Sequence, residues 1–145
     1  MRKGFSLITA IIFMVLVASI AALALSFSSF SSKQTTDVFL REQAELLLQS
    51  GTEFALLAIS GHDINATTNC INAINAQYPT IANPRFDINI TISYMGSGLP
   101  AGCTILSNAV NTVDSNITVI IDTIVGDHNL STEPIRLHRR TIQKP

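Results

Sequence analysis

Hydrophobic and polar positions divide this 145-residue chain into an apolar beginning and an alternating remainder. The residues from Phe5 to Phe27 are predominantly apolar, and no charged residue occurs between Lys3 and Lys33. As a helix this run measures roughly 34 Å, enough to cross a hydrocarbon core of about 30 Å. Because Arg2 and Lys3 precede the run, the positive-inside bias predicts a cytoplasmic N-terminus and an exported remainder.

An amphipathic helical pattern follows, from about residue 36 to residue 60. Its apolar residues recur at spacings of three, four and seven; they are Leu40, Ala44, Leu47, Leu48, Phe54, Ala55 and Ala58. Gly61 favours a stop, and no proline interrupts residues 5–60, so one helix of about 56 residues and 84 Å is permitted. The alternation of Ser and Phe near residue 28 has low helix propensity and predicts a bend or a break there.

A short helix is predicted next, before the first strand. Thr68 or Asn69 is a suitable N-cap, and Pro79 follows the helix end. One face of this helix would carry Ile71, Ile74 and Tyr78.

Three strands are predicted after this helix. Residues 86–94 alternate strictly, and further strands are predicted over residues 117–125 and 135–142. Gly and Pro residues between positions 96 and 102 predict a loop that leads to Cys103. The fold class that follows is α+β: a long N-terminal helix, half membrane-embedded and half amphipathic, packed on a small antiparallel sheet.

The junction before the apolar run is unusual for an export signal. It reads Lys3-Gly4-Phe5-Ser6-Leu7-Ile8, so the small residue precedes the apolar core. In a secretory signal peptide the small-residue cleavage site follows that core. Over about its first thirty residues the chain resembles the type IV prepilin family, which includes the pseudopilins of type II secretion.

The resemblance implies a processing site and a set of partners. A prepilin peptidase would cut between Gly4 and Phe5, and Phe5 would then be methylated. The apolar helix would become the packing core of a filament of pilins or pseudopilins, built on an inner-membrane assembly platform. The implied parts are a leader at 1–4, a transmembrane and filament-core helix at 5–32, and a periplasmic head at 33–145.

One position departs from the family pattern. The fifth mature residue is normally Glu, and here it is Thr9. Tip-type minor subunits also lack this Glu, so the resemblance implies a minor pilin or minor pseudopilin that initiates or caps a filament. Whether the machine is a pilus, a secretion system or a DNA-uptake apparatus stays open.

Two alternative interpretations of the N-terminal segment also stay open. Ala22-Leu23-Ala24 fits a small-x-small signal cleavage site, although the apolar run is long for such a signal. The run is equally compatible with an uncleaved single-pass anchor. Either alternative makes the chain a membrane-anchored or secreted periplasmic glycoprotein that binds a ligand or a partner through its head.

The two cysteines predict a disulfide. Cys70 and Cys103 both fall on the exported side, and an even number of cysteines in an oxidising compartment favours pairing. No Cys-x-x-Cys spacing occurs and no histidine neighbours either cysteine in sequence, so a zinc site is disfavoured.

Charge and chemistry motifs exclude several functions. Nine basic residues balance ten acidic ones, so no nucleic-acid partner is predicted. The basic residues at the end of the chain fit a solvated edge strand and tail; they are Arg136, His138, Arg139, Arg140 and Lys144. No catalytic or metal site and no cofactor are predicted, because the neighbouring pairs His62-Asp63 and Asp127-His128 lack a third group. The chain is not predicted to be an enzyme.

Four Asn-x-Ser/Thr sequons share a fixed acidic neighbour. Each has Asp two residues before the Asn, and with 10 acidic residues in 145 four chance matches have a probability on the order of 10⁻⁵. The form Asp-x-Asn-x-Ser/Thr resembles the acceptor of bacterial oligosaccharyltransferases, which need that acid. The candidate N-glycosylation residues are Asn65, Asn89, Asn116 and Asn129. Asn65 and Asn129 are predicted in loops and are favoured over Asn89, which lies on the polar face of a strand.

Overall fold

The computed structural model describes residues 3–110, 117–128 and 131–145, with side chains from Leu7 onward. The elements are a helix, α1 (Lys3–Ser60), and five strands: β1 (Ala73–Tyr78), β2 (Phe86–Gly96), β3 (Ile105–Ser107), β4 (Ile117–Asp127) and β5 (Arg136–Gln143). Two compact units are present, Met1–Val38 and Phe39–Pro145. The predicted α+β class is confirmed.

The helix α1 is helical from Lys3 to Ser60 without a break. The predicted bend or break near residue 28 does not appear as a loss of helix. Hydroxyl groups there bond to carbonyls of the preceding turn, Ser29 to Ser26 at 2.9 Å and Thr35 to Ser31 at 3.0 Å. These residues therefore satisfy their side-chain hydrogen bonds inside the helix and do not compete with it. The helix ends at Ser60, and the N–H of the following residue, Gly61, donates to the carbonyl of Leu57.

The sheet has the strand order β1-β2-β4-β5, and these four strands are antiparallel to their neighbours. The short strand β3 pairs with β2 in parallel, on the same edge as β1. Hence β1 pairs with residues 86–91 of β2, whereas β3 pairs with Tyr94 and Met95. The three strands predicted from the sequence are confirmed as β2, β4 and β5, with ends shifted by up to two residues.

The predicted short helix before Pro79 is wrong, because residues 73–78 form the strand β1. Asn69 has a positive φ of 57° and is therefore not in a right-handed helical conformation. Backbone pairing of β1 with β2 overrides the helical spacing of Ile71, Ile74 and Tyr78. Only Ile74 of this strand is half-buried, so β1 gives almost no alternating signal.

The core lies between the second half of α1 and one face of the sheet. Buried helix residues recur at spacings of four and three, which places them on one helix face; they are Leu40, Ala44, Leu48, Gly51, Thr52, Ala55 and Ile59. Even-numbered residues of β2 and odd-numbered residues of β4 supply the buried face of the sheet. Gly51 allows a close approach, since a Cβ there would lie 3.3 Å from Cγ2 of Ile88.

Candidate functional site

The apolar half of α1 is exposed to its surroundings. Within the described side chains, the large apolar residues from Leu7 to Phe27 have exposed fractions of 50 to 73%. A surface of this kind is unfavourable in water and is typical of a segment in contact with lipid or with other apolar helices. The helix is long and apolar enough to cross a membrane, so it is a candidate single membrane span.

The predicted processing residues lie at the beginning of the same helix. Gly4 and Phe5 fall within α1, and their side chains lie outside the described part of the structure. Thr9 is exposed on the first turns of the apolar segment. An uncharged hydroxyl side chain therefore lies on the surface of the helix at this position.

Cys70 and Cys103 form the predicted disulfide, which links positions 33 residues apart. Each cysteine stands shortly before an edge strand, Cys70 before β1 and Cys103 before β3. Asn72 reinforces this link, because its amide donates to the carbonyl of Gly102 at 2.8 Å and accepts from the N–H of Thr104 at 2.8 Å. On β2, the N–H of Ile92 donates to the carbonyl of Asn72, and the N–H of Tyr94 donates to the carbonyl of Thr104.

The first sequon lies in an exposed turn between α1 and β1. The side-chain carbonyl of Asn65 accepts from the N–H groups of Thr67 and Thr68, at 2.8 and 2.9 Å. The Thr68 hydroxyl closes the turn on the Asp63 carbonyl, and His62 Nε2 lies 3.1 Å from the carbonyl oxygen of Asn69. The predicted loop position of Asn65 is confirmed.

The second sequon lies in the middle of the sheet. Asn89 is exposed on the face of β2 away from the helix, opposite Asn75 of β1 and Ile124 of β4. Its acidic neighbour Asp87 accepts from Gln77 at 2.8 Å and lies 3.5 Å from His128. Asn89 is therefore held by backbone pairing on both sides, as its place on a strand predicts.

The other two sequons lie partly outside the described residues. Asn116 and its neighbour Asp114 fall in the gap at 111–116, and Asn129 falls in the gap at 129–130. For the fourth sequon the flanking residues are described. Asp127 accepts from the hydroxyl of Ser131 at 2.7 Å and from the N–H of Ile135 at 2.8 Å. The Ser131 hydroxyl also contacts the carbonyl of Glu133.

Four of the basic residues at the end of the chain lie on the edge strand β5, and Lys144 follows it in the tail, as predicted. Two of them bond to Asp122 on β4: Arg140 Nε at 2.7 Å and His138 Nε2 at 2.9 Å. The hydrogen bond from Arg140 is the main cause that lowers the pKa of Asp122 below its ordinary value, and His138 lowers it further. Sequence reasoning missed this ion cluster, because it depends on the register of β4 and β5.

The histidine and carboxylate pairs are not combined into one site. His62 bonds to the backbone of Asn69, whereas His128 faces Asp87 rather than its sequence neighbour. Within the described ranges, no group of three or more His, Cys, Asp or Glu residues is arranged to hold a metal ion. Compared with models of protein families, with curated proteins and with solved structures, the chain has no match.

Proposed function

We propose that this chain is a minor pilin or a minor pseudopilin, which initiates or caps a filament of related subunits in the bacterial envelope. The proposal rests mainly on the helix α1. One element combines an exposed apolar segment from Leu7 to Phe27 with a second segment that packs on a sheet. The Lys3-Gly4-Phe5 junction immediately precedes this exposed segment.

The exposed apolar segment supports the proposal on physical grounds. A helix satisfies its own backbone hydrogen bonds, so it is stable in lipid before assembly. In a filament, neighbouring helices of the same kind would bury the side chains that lipid covers before assembly. The membrane-facing surface and the subunit contact would then be the same surface, used at two stages.

Thr9 supports a position at the end of the filament. Removal of residues 1–4 would create an amino group at Phe5, inside a bundle of apolar helices. An unpaired charge in such surroundings is costly, and a carboxylate from a neighbouring subunit offsets that cost. Thr9 carries no charge and would supply no such carboxylate. A subunit that is present only once, at an end of the filament, has no neighbouring copy of itself whose amino group needs a carboxylate.

The decisive experiment is mass spectrometry of the N-terminus. Full-length chain is produced in cells that contain a prepilin peptidase and in otherwise identical cells that lack it. We expect a methylated Phe5 start only in the first, and Gly4→Leu should leave the precursor uncut. Ser6→Ala is the matched control and should be processed normally.

Three results would contradict the proposal. An intact Met1 in cells with the peptidase supports the membrane-anchored alternative, and a start near Leu25 supports a secreted one. In either case the head would be a periplasmic binding domain. A Gly4→Leu product with the wild-type N-terminus would also exclude prepilin processing.

A further inference from the structure

We propose that Asn65 is the acceptor of an N-linked oligosaccharide on the folded head, and that the fold leaves Asn89 unmodified. In the reaction, the side-chain nitrogen of Asn65 forms a bond to C1 of a sugar held on a lipid pyrophosphate. The bond between C1 and the pyrophosphate oxygen breaks, the lipid pyrophosphate leaves, and the nitrogen loses one proton. The transferase and the lipid-linked oligosaccharide are the only co-reactants.

The geometry of Asn65 supports this assignment. The residue is exposed, and its side-chain oxygen is occupied by the N–H groups of Thr67 and Thr68. Among the described residues, its Nδ2 makes no hydrogen bond. A turn that binds the amide oxygen and leaves the amide nitrogen available presents the reacting atom to solvent. The sequon residue Thr67 is also exposed.

The acidic residue of this sequon is available as well. Asp63 is exposed, and within the described part of the chain its carboxylate has no hydrogen-bond or ion-pair partner, since only its backbone carbonyl is used. A transferase that recognises an acid two residues before the Asn would form a charge-assisted hydrogen bond to its carboxylate. Such a bond requires a carboxylate oxygen that no other group in the protein already occupies. Asp63 meets that requirement.

Asn89 has the same sequon but a different environment. Separating it from the sheet would break backbone bonds to β1 and to β4. Its acid Asp87 is already engaged by Gln77 and His128. Two sequons of the same Asp-x-Asn-x-Thr form therefore differ in the backbone pairing of the Asn and in the availability of the acid.

The described part of the fourth sequon is engaged in the same way as the second. Asp127 binds Ser131 and the N–H of Ile135, and Ser131 is the hydroxyl residue of that sequon. Of the acids that the structure describes in these sequons, Asp63 alone is free. The acids are equivalent in the sequence pattern, but they differ in their hydrogen-bond partners.

The proposal requires that the head is exported, and it does not require that a filament forms. Full-length chain is produced in a bacterium with an oligosaccharyltransferase that requires the acidic residue, and in the same strain with that enzyme inactivated. Trypsin cleaves after Arg85, so after reduction peptide 42–85 contains Asn65 as its only sequon, and peptide 86–136 contains the other three. Fragment sequencing assigns each glycan to one Asn.

We expect peptide 42–85 to carry one oligosaccharide in the first strain and none in the second. Asn65→Gln, Asp63→Asn and Thr67→Val should each lose it. Thr80→Val is the matched control, because it makes the same substitution at an exposed residue of the same peptide, outside the sequon and outside the turn. Asn89→Gln should leave the glycan pattern unchanged.

A portion of the same digest, taken before reduction, reports export, because the Cys70–Cys103 disulfide then joins peptide 42–85 to peptide 86–136. An oxidised head with unmodified Asn65 overturns the proposal and leaves the proposed function intact. A reduced, unmodified head contradicts export itself and therefore both proposals. Equal modification of Asn65 and Asn89 would show that transfer precedes folding, and would overturn selection by the fold.

Discussion

Thr52 of α1 and Thr123 of β4 share a hydrogen bond of 3.1 Å in the buried core between helix and sheet. The Thr52 hydroxyl donates to the carbonyl of Leu48 at 2.9 Å, so its proton is committed. Thr123 must therefore donate and Thr52 accept. Both side chains are buried, with exposed fractions of 7% and 0%.

This direction predicts unequal effects of two similar substitutions. Thr52→Val leaves the Thr123 donor buried without an acceptor, which should cost about 1–3 kcal/mol. Thr123→Val leaves Thr52 with its bond to Leu48 and should cost about 0.5–1.5 kcal/mol. The double valine variant should be more stable than Thr52→Val, because no donor is left unpaired. Thermal unfolding of the detergent-solubilised full-length chain measures all three; additive losses would contradict the assigned direction.

The disulfide should stabilise one edge of the sheet in particular. Its closed loop of about 34 residues corresponds to roughly 3–4 kcal/mol on the chain-entropy model. The double variant Cys70→Ser, Cys103→Ser should lose most of that stability. Non-reducing peptide mapping of exported wild-type protein should find Cys70 linked to Cys103. Two free thiols in such material would be incompatible with the structure.

The ion cluster on the sheet predicts an acid-range titration. Arg140 lowers the folded pKa of Asp122 below its ordinary value of 3.8. Because the folded pKa is the lower one, this contribution to stability is present above 3.8 and is lost as the pH falls through the folded pKa. Carboxyl NMR of Asp122 should show a pKa below 3.8 in the wild type.

Two substitutions on β5 test the cause of that shift. Arg140→Gln should raise the pKa of Asp122 towards 3.8, since it removes the largest cause. Arg136→Gln is the matched control, because it removes an exposed basic residue whose register partner is Gly126. An equal shift in both variants would mean that overall charge, rather than the direct bond, sets the pKa.

Thr9 predicts a low copy number in any filament that contains this chain. Each repeated subunit without a carboxylate would leave one buried amine unpaired. We expect quantitative mass spectrometry of isolated filaments to find far fewer copies of this chain than of the main subunit. A filament composed mainly of this chain would require another group to balance the amine.

The sequence predicts those parts of the fold whose burial follows a strict period. Alternation over residues 86–94 of β2 matches burial residue by residue, because one face of the strand packs on the core. In β4 the burial alternates but the sequence does not, since Ile120 and Ile124 lie on the half-buried face and Thr123 lies in the core. The strand β1 could not be predicted in this way, since most of its side chains are exposed and its pairing is through the backbone. The strand β3 has three residues, too few for any period.

The candidate site divides along the same line. The disulfide follows from the even number of cysteines and the loop position of Asn65 follows from local sequence, and both are present as predicted. The difference between Asp63 and Asp87 could not be predicted, because Gln77 and His128 reach Asp87 only through strand pairing and a loop. Partners that are distant in sequence decide which acid stays free.

The strands β1 and β3 together form one edge of the sheet. Two chain segments pair end to end along β2, and the Asn72 amide occupies the junction in the manner of a peptide group. A one-residue slip of β1 would pull Asn72 away from Gly102 and Thr104, so the two hydrogen bonds of the Asn72 side chain fix the register of β1 on β2. Both β1 and β2 lie inside the covalent ring closed by the disulfide, whereas β4 and β5 lie outside it. The disulfide thus constrains β1 and β2 directly and leaves β4 and β5 without a covalent link of this kind. Amide exchange should therefore be fastest at β5, which is also an edge strand.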